Sequence, residues 1–439
     1  MVQRLTLTSK LPKLESWVGL DVWAVAVLDM GSGSSIVRTN EILSSRSISN
    51  HCQPRTFRGI GCRSSPCAGN VDKELSRCWR SLLLPQTALL RHQRRLGLLV
   101  CRAYTNAEDG TIMARSSVFR LNGIGFGTWA WGNQLVWGYD PQRDDDRLSQ
   151  TFREAVKGGL RLVDTADSYG TGRLNGRSET LLGRFIAALP PSQKTDLVIA
   201  TKLAPFPWRL GRRGFDRAFR ASCTRLQGHL QRVQLHWSTA RYAPWQESAL
   251  LDGMADLVLE GKVQELGVSN VGPTRLAWMH NRLQDRGVVL RSVQLQYSLL
   301  APGDQRLDQL LHLCSELQIE VLAYSPLAFG ILGQAPDANP VPSTPLRRGL
   351  FHRLLPASLP LRRLIEEIAI GHQASMVQVA LNWCRAHGTI PIPGLRSPEQ
   401  ARDVAAALSW SLTSEELRRL DDARQRCTER MPSNPFQSC

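Results

Sequence analysis

From Phe119 onward the sequence alternates, and that alternation constrains the fold more than any single motif does. Short β-branched or apolar runs are each followed by a longer stretch of helical period. Residues 121–127 precede 146–157, 161–164 precede 178–188, 197–202 precede 215–226, and 232–236 precede 246–260. The pattern continues with 263–269 before 273–286, 291–294 before 306–317, 320–324 before 361–372, and 389–392 before 398–408. Strands that alternate with helices lie parallel, because each helix carries the chain back to the starting end of the sheet. Eight such units in roughly 300 residues predict a closed (β/α)8 TIM barrel over residues 119–430. A further helix from Ser414 to about Arg426 opens with the capping pattern Thr413-Ser414-Glu415-Glu416. An open doubly wound sheet would need a glycine fingerprint that opens the first helix. Gly123-Ile124-Gly125-Phe126-Gly127-Thr128 is rich in glycine but runs into Trp129-Ala130-Trp131-Gly132, which starts no helix.

Residues 1–105 do not share the pattern. They are rich in Ser, Arg and Leu and poor in acids, with runs such as Ser44-Ser45-Arg46-Ser47-Ile48-Ser49 and Arg91-His92-Gln93-Arg94-Arg95. This is the composition of a disordered leader that acts as a transit peptide, so the expectation is the chloroplast (plastid stroma), with the mitochondrion as the alternative. About half of the formal net charge of +16 sits in this leader. The remainder is spread thinly, with no basic run interleaved with aromatics, so no nucleic-acid partner is expected. The best apolar run, 17–30, is interrupted by Asp21 and Asp29 and is too short for a membrane span, so no membrane partner is expected either. The ten cysteines form no CxxC pair and stand near no histidine at a zinc-ligand spacing. Free thiols and no structural metal are expected, in a monomer or weak oligomer.

Strand C-termini of a barrel converge on one mouth. Four polar residues of this chain fall there. Asp164 ends the second strand, Tyr169 follows in its loop, Lys202 ends the third strand, and His236 ends the fourth. A lysine that closes an apolar strand is costly unless it is paired, and Asp164 is the expected partner. A phenol with an unperturbed pKa near 10 is protonated around neutrality, and an adjacent ammonium stabilises the phenolate left after proton donation. His236 is the rival acid, but an imidazole near pKa 6.5 carries little charge at pH 8, so it is read as the group that orients a substrate oxygen. A strand-end lysine in a barrel also suits a Schiff-base lyase, which keeps that chemistry open for Lys202.

With these four, the motifs DTADSYG, ATK, LHW, GVSN, VQLQYS, AYSPL and IPIPG resemble the aldo-keto reductase family, in particular its plant and cyanobacterial plastid-type branch. The resemblance covers about 119–425 and implies reduction of a small-molecule aldehyde or ketone by hydride from NADPH, bound without a Rossmann fold. It implies Tyr169 as the proton donor, supported by Lys202, Asp164 and His236. Ser269, Asn270 and Gln294 would then hold the nicotinamide carboxamide, and Tyr324 would stack on its ring. Ser325 and Leu327 would follow the pyrophosphate, Arg396 would meet the 2′-phosphate, and Gln400 would lie on the adenine side. Gly127, Thr128 and Gly394 complete the implied cofactor set. A regulatory subunit that binds NADPH as a redox sensor with little turnover is the non-enzymatic alternative. Four places depart from the family pattern: the insertion Arg173-Leu174-Asn175-Gly176 after the tyrosine, the segment 226–232, which lacks an acidic residue usual before His236 and is one residue short, Ser238 in place of a proline, and Val404 in place of an asparagine. Trp129, Trp131, Trp137 and Trp208 fall in or near mouth loops and are candidates for the walls of an apolar substrate pocket.

Overall fold

The computed structural model describes residues 123–303 and 305–438; the expected leader lies outside them. Eight parallel strands stand side by side in chain order. They are β1 Gly125–Gly127, β2 Leu162–Asp164, β3 Val198–Leu203, β4 Arg232–Leu235, β5 Glu265–Ser269, β6 Leu290–Gln296, β7 Glu320–Tyr324 and β8 Thr389–Pro391. The ring closes where Gly127 bridges Gly394 in parallel and its N–H donates to the Pro393 carbonyl at 2.9 Å. The chain forms the barrel that its alternation predicts.

Helices α1 Pro141–Lys157, α2 Arg177–Ala187, α3 Gly211–Arg225, α4 Pro244–Leu259, α5 Pro273–Gln284 and α6 Gln305–Glu316 follow the first six strands in turn. Proline stands in the first turn of α1, α4 and α5, where its missing N–H would have had no intrahelical partner. Between β7 and β8 the sequence predicts one helix over 361–372, and the structure holds three: α7 Pro345–Ala357, α8 Leu359–Gly371 and α9 Met376–Ala386. The run Val377-Gln378-Val379 that opens α9 has a strand-like local pattern. Ser375 decides otherwise, its side chain accepting the Gln378 N–H as an N-cap, and the core buries Val379, Ala380 and Trp383. After β8 come α10 Pro398–Ala406 and α11 Ser414–Arg426, and Thr413 and Glu416 form the predicted reciprocal capping box.

Strand residues alternate between the barrel interior and the helical layer. Leu162, Val198, Ala200, Leu322 and Ile392 make a small apolar plug in the interior. At its lower end Arg232, fully buried, donates to Glu265 at 2.8 Å and to Glu320 at 2.9 Å. Gly267 makes room beside the plug, since a Cβ there would lie 2.5 Å from Ser292 Oγ and 2.9 Å from Gln234 Cγ. The space is filled by the Gln234 side chain, which reaches up to the mouth. After α11 the chain turns back across that mouth. The Met431 N–H donates to the Leu300 carbonyl at 2.8 Å and the Ser438 N–H to the Asn270 carbonyl at 3.0 Å.

Candidate active site

Asp164 ends β2 and Lys202 stands one residue before the end of β3; the pairing of Asp164 with Ala200 brings the two side chains together above the plug. Lys202 Nζ lies 2.5 Å from Asp164 Oδ2, and the two residues are 1% and 3% exposed. At that depth neither charge is tolerated without the other. The second oxygen, Asp164 Oδ1, accepts Gln234 Nε2 at 3.1 Å and Gln294 Nε2 at 2.8 Å. Burial pulls the Lys202 ammonium below its ordinary range, and Asp164 beside it restores part of that loss.

Tyr169 reaches this pair from the loop after β2. The turn is set by Gly170, whose φ is +123° and whose added Cβ would fall 1.8 Å from the Leu174 carbonyl oxygen, so only glycine fits. Asp167 anchors the same loop by pairing with Arg209 and accepting the Ala204 N–H; burial pushes its carboxyl up to about 6 despite the arginine. Lys202 Nζ sits 4.9 Å from the Tyr169 ring centroid, and the Tyr169 and His236 rings are 6.0 Å apart. Burial holds the His236 imidazole well below 6.5, and the Lys202 and Arg209 cations push in the same direction. His236 is therefore neutral near pH 7, as an orienting group needs and an imidazolium acid does not. Acid, phenol, ammonium and imidazole thus meet at one mouth, as the strand ends predict.

A cavity of about 540 Å³ opens over this quartet and runs towards α10. Ser269, Asn270 and Gln294 line it after β5 and at β6, Tyr324, Ser325 and Leu327 after β7, and Gly394, Arg396 and Gln400 beyond β8, with Gly127 on the near wall. Of the cofactor-binding residues implied by the sequence, Thr128 alone stands apart from this lining. It is fully buried, and its hydroxyl donates to the Asp164 carbonyl at 3.0 Å while accepting from Ser178 at 2.7 Å. Of the four tryptophans, Trp129, Trp137 and Trp208 line the cavity. Trp131 does not: it is fully buried in the core between Phe126 and Phe185, its indole N–H donating to the Leu395 carbonyl at 2.8 Å. The inserted loop contributes Asn175 to the rim, and Val404 lines the far end.

Among the lining residues that the sequence does not single out, Arg347, Asn434 and Phe436 matter most. Arg347 lies on α7, in a stretch with no clear period, and its guanidinium stacks 4.5 Å over Trp137. Arg396 approaches the same ring at 5.4 Å. Burial lowers the Arg347 pKa to about 10, with the Arg396 charge adding to the effect, and Arg347 Nε is buried without a partner. Two crowded guanidiniums with an orphaned donor are suited to a phosphate. Asn434 and Phe436 enter from the C-terminal segment, where Ser433-Asn434-Pro435 reads simply as a turn. Phe436 stacks on Trp237 at 4.7 Å, next to His236.

The end by the quartet therefore offers buried amides and an aromatic ring, and the far end offers cations beside the N-terminus of α10, capped by Ser397. Such a lining fits a dinucleotide laid out from amide to phosphate. A sequence profile described as the aldo/keto reductase family matches residues 123–425. Chloroplastic pyridoxal reductase of Arabidopsis thaliana is 46% identical over 72% of this chain and 86% of that protein. A methylglyoxal reductase of Escherichia coli is 30% identical over 69% of this chain and 91% of that protein. Among solved structures, an aldo-keto reductase from Klebsiella pneumoniae in complex with NADPH is similar, with a TM-score of 0.53 and 28% identity over 71% of this chain and 94% of that one. The match spans the whole barrel, and this chain belongs to the aldo/keto reductase family of oxidoreductases.

Proposed function

We propose that this protein reduces an aldehyde or ketone to an alcohol with NADPH, in the plastid. When bound, NADPH supplies the hydride. Tyr169 donates the proton to the carbonyl oxygen, Lys202 stabilises the phenolate left behind, Asp164 holds Lys202 charged, and neutral His236 orients the oxygen. The observation that carries this reading is the sealed Lys202–Asp164 pair, 2.5 Å apart, beneath the Tyr169 ring and beside His236. Ser269, Asn270 and Gln294 take the carboxamide, Tyr324 the nicotinamide ring, and Ser325, Leu327, Gly127 and Gly394 the path to the phosphates. Arg396, with Arg347 beside it, takes the 2′-phosphate, and Gln400 sits by the adenine. Thr128 has no part in this set, because its hydroxyl is spent on the backbone behind β2.

A lyase reading finds no support in this geometry. An amine that attacks a carbonyl must be free and reachable, and Lys202 is 1% exposed and bound to a carboxylate. The functional unit of the proposal is residues 119–430 together with the tail that lines the cavity, and residues 1–105 are assigned to plastid targeting. The plastid is favoured over the mitochondrion by the chloroplastic relative. Pyridoxal is the first aldehyde to test, given the name of that relative and the aromatic walls of Trp129, Trp208 and Phe436. The test is NADPH deuterated at the transferable position, with the alcohol analysed by mass spectrometry. One deuterium on the former carbonyl carbon is expected; no cofactor oxidation with any of a panel of aldehydes and ketones would refute the proposal.

A further inference from the structure

The C-terminal segment does more than cover the mouth. Asn434, 6% exposed, donates its Nδ2 to Asn270 Oδ1 at 2.7 Å and to Tyr324 Oη at 2.6 Å. Tyr324 Oη in turn donates to Asn270 Oδ1 at 2.9 Å. The three side chains close a triangle. Neither amide in it can be turned over. The Phe436 N–H donates to Asn434 Oδ1 at 2.9 Å, which leaves Nδ2 as the end that meets the triangle. Asn270 Nδ2 donates to the His236 carbonyl at 3.1 Å, which leaves Oδ1 as the end that accepts.

A donor and acceptor inventory then says what remains for a ligand. Asn270 Oδ1 has two lone pairs, and Tyr324 and Asn434 take both. Asn270 Nδ2 has two hydrogens, and the His236 carbonyl takes one. The uncommitted capacity of Asn270 is a single N–H. Gln294 is fixed in the opposite sense: its Nε2 donates to Asp164 Oδ1 at 2.8 Å, so Oε1 is its uncommitted end. A primary carboxamide needs one donor for its oxygen and an acceptor for its NH2, and Asn270 and Gln294 offer that pair. Asn270 is also held with φ at +59°, in the left-handed region, with its carbonyl accepting the Ser438 N–H of the same tail.

We infer that Asn434 is a positioning residue for the nicotinamide carboxamide: by filling the acceptor of Asn270, it makes Asn270 present only a donor to the cofactor. The tail is tied down around it, by Phe436 stacked on Trp237 and by the Pro435 carbonyl, which accepts from Arg241 at 3.1 Å. The inference rests on the NADPH reading above. Its consequence is local to one end of the cofactor: the adenine, the 2′-phosphate and the pyrophosphate make no use of Asn434.

The test measures binding by calorimetry on the full chain with two probes, NADP+ and 2′-phospho-ADP-ribose, which lacks the nicotinamide. Asn434→Ala is expected to weaken NADP+ about three- to tenfold, the size of one mis-set hydrogen bond, and to leave 2′-phospho-ADP-ribose within about twofold. Asn434→Asp keeps the shape but has no N–H to donate, and is expected to weaken NADP+ at least as much at pH 8. Unchanged NADP+ affinity in both variants overturns the inference, and so does equal weakening of both probes, which would assign Asn434 to general packing. Native protein that binds neither probe overturns the NADPH reading, and this inference falls with it. Native binding with silent variants overturns the inference alone.

Discussion

Replacing Lys202 with methionine removes a charge from a place that water cannot reach. Two separate losses follow. The first is in stability. Asp164, 3% exposed, would keep its charge with only the Gln234 and Gln294 amides as partners. Stranding one member of a buried ion pair costs about 3–5 kcal/mol. The second is in rate. A unit charge 4.9 Å from the Tyr169 ring centroid is worth about 3.4 kcal/mol to a phenolate at an effective dielectric of 20. Asp164 opposes this from 2.5 Å behind the ammonium, about 7.4 Å from the ring, and offsets about 2.2 kcal/mol, so the pair as a whole contributes on the order of 1 kcal/mol. Losing the ammonium alone therefore slows the step roughly three-hundredfold, and losing the whole pair slows it roughly five- to tenfold. The two losses separate in the double variant Lys202→Met/Asp164→Asn, which removes both charges. It should regain most of the stability but only part of the rate. Single-turnover NADPH oxidation measures the rate without product release, and thermal melting measures the stability. A double variant with native single-turnover rate would refute the role given to the ammonium, and so would Lys202→Met within about twofold of native.

Arg396→Ala should weaken NADPH about ten- to a hundredfold, the scale of charge-assisted hydrogen bonds, and leave NADH nearly unchanged; calorimetry with both cofactors decides it. His236 gives a pH signature: its imidazole ionises near 6.5 in the unfolded chain and well below that in the folded one. The unfolded chain takes up that proton first, so stability falls as the pH drops below about 6.5. His236→Gln should flatten that slope in urea melts between pH 7 and 5, and an unchanged slope would count against a buried neutral imidazole. Trp131→Ala should cost about 3–5 kcal/mol of stability, since it empties a fully buried site. Trp208→Ala, at 57% exposure on the cavity rim, should instead raise KM for aromatic aldehydes with little change in melting temperature.

The barrel was legible because its signal is periodic. Each strand is short, apolar and followed by a helix, and no local detail has to be right for the count to reach eight. The quartet was legible for a topological reason: in a parallel barrel every strand C-terminus faces one mouth, so Asp164, Lys202 and His236 needed only correct strand ends. Tyr169 needed only a short loop. Residues without a strand end to place them were harder. Thr128 follows β1 as Asp164 ends β2, yet its side chain turns to the backbone behind the mouth and bonds Ser178. Trp131 sits among mouth tryptophans in the sequence and packs into the core instead. Arg347 and Asn434 owe their places to long-range docking of α7 and of the tail, with partners far away in the chain, such as Phe329 and Asn270. Nothing in their own sequence neighbourhoods encodes those partners.

The most direct measurement removes a single oxygen atom. Tyr169→Phe should lower single-turnover reduction about a hundred- to ten-thousandfold, the range for loss of a positioned general acid, while NADP+ affinity stays within about twofold of native. Reduction that persists within tenfold of native, or cofactor binding lost along with it, would contradict the assignment of the phenol as proton donor and the reductase mechanism built around it.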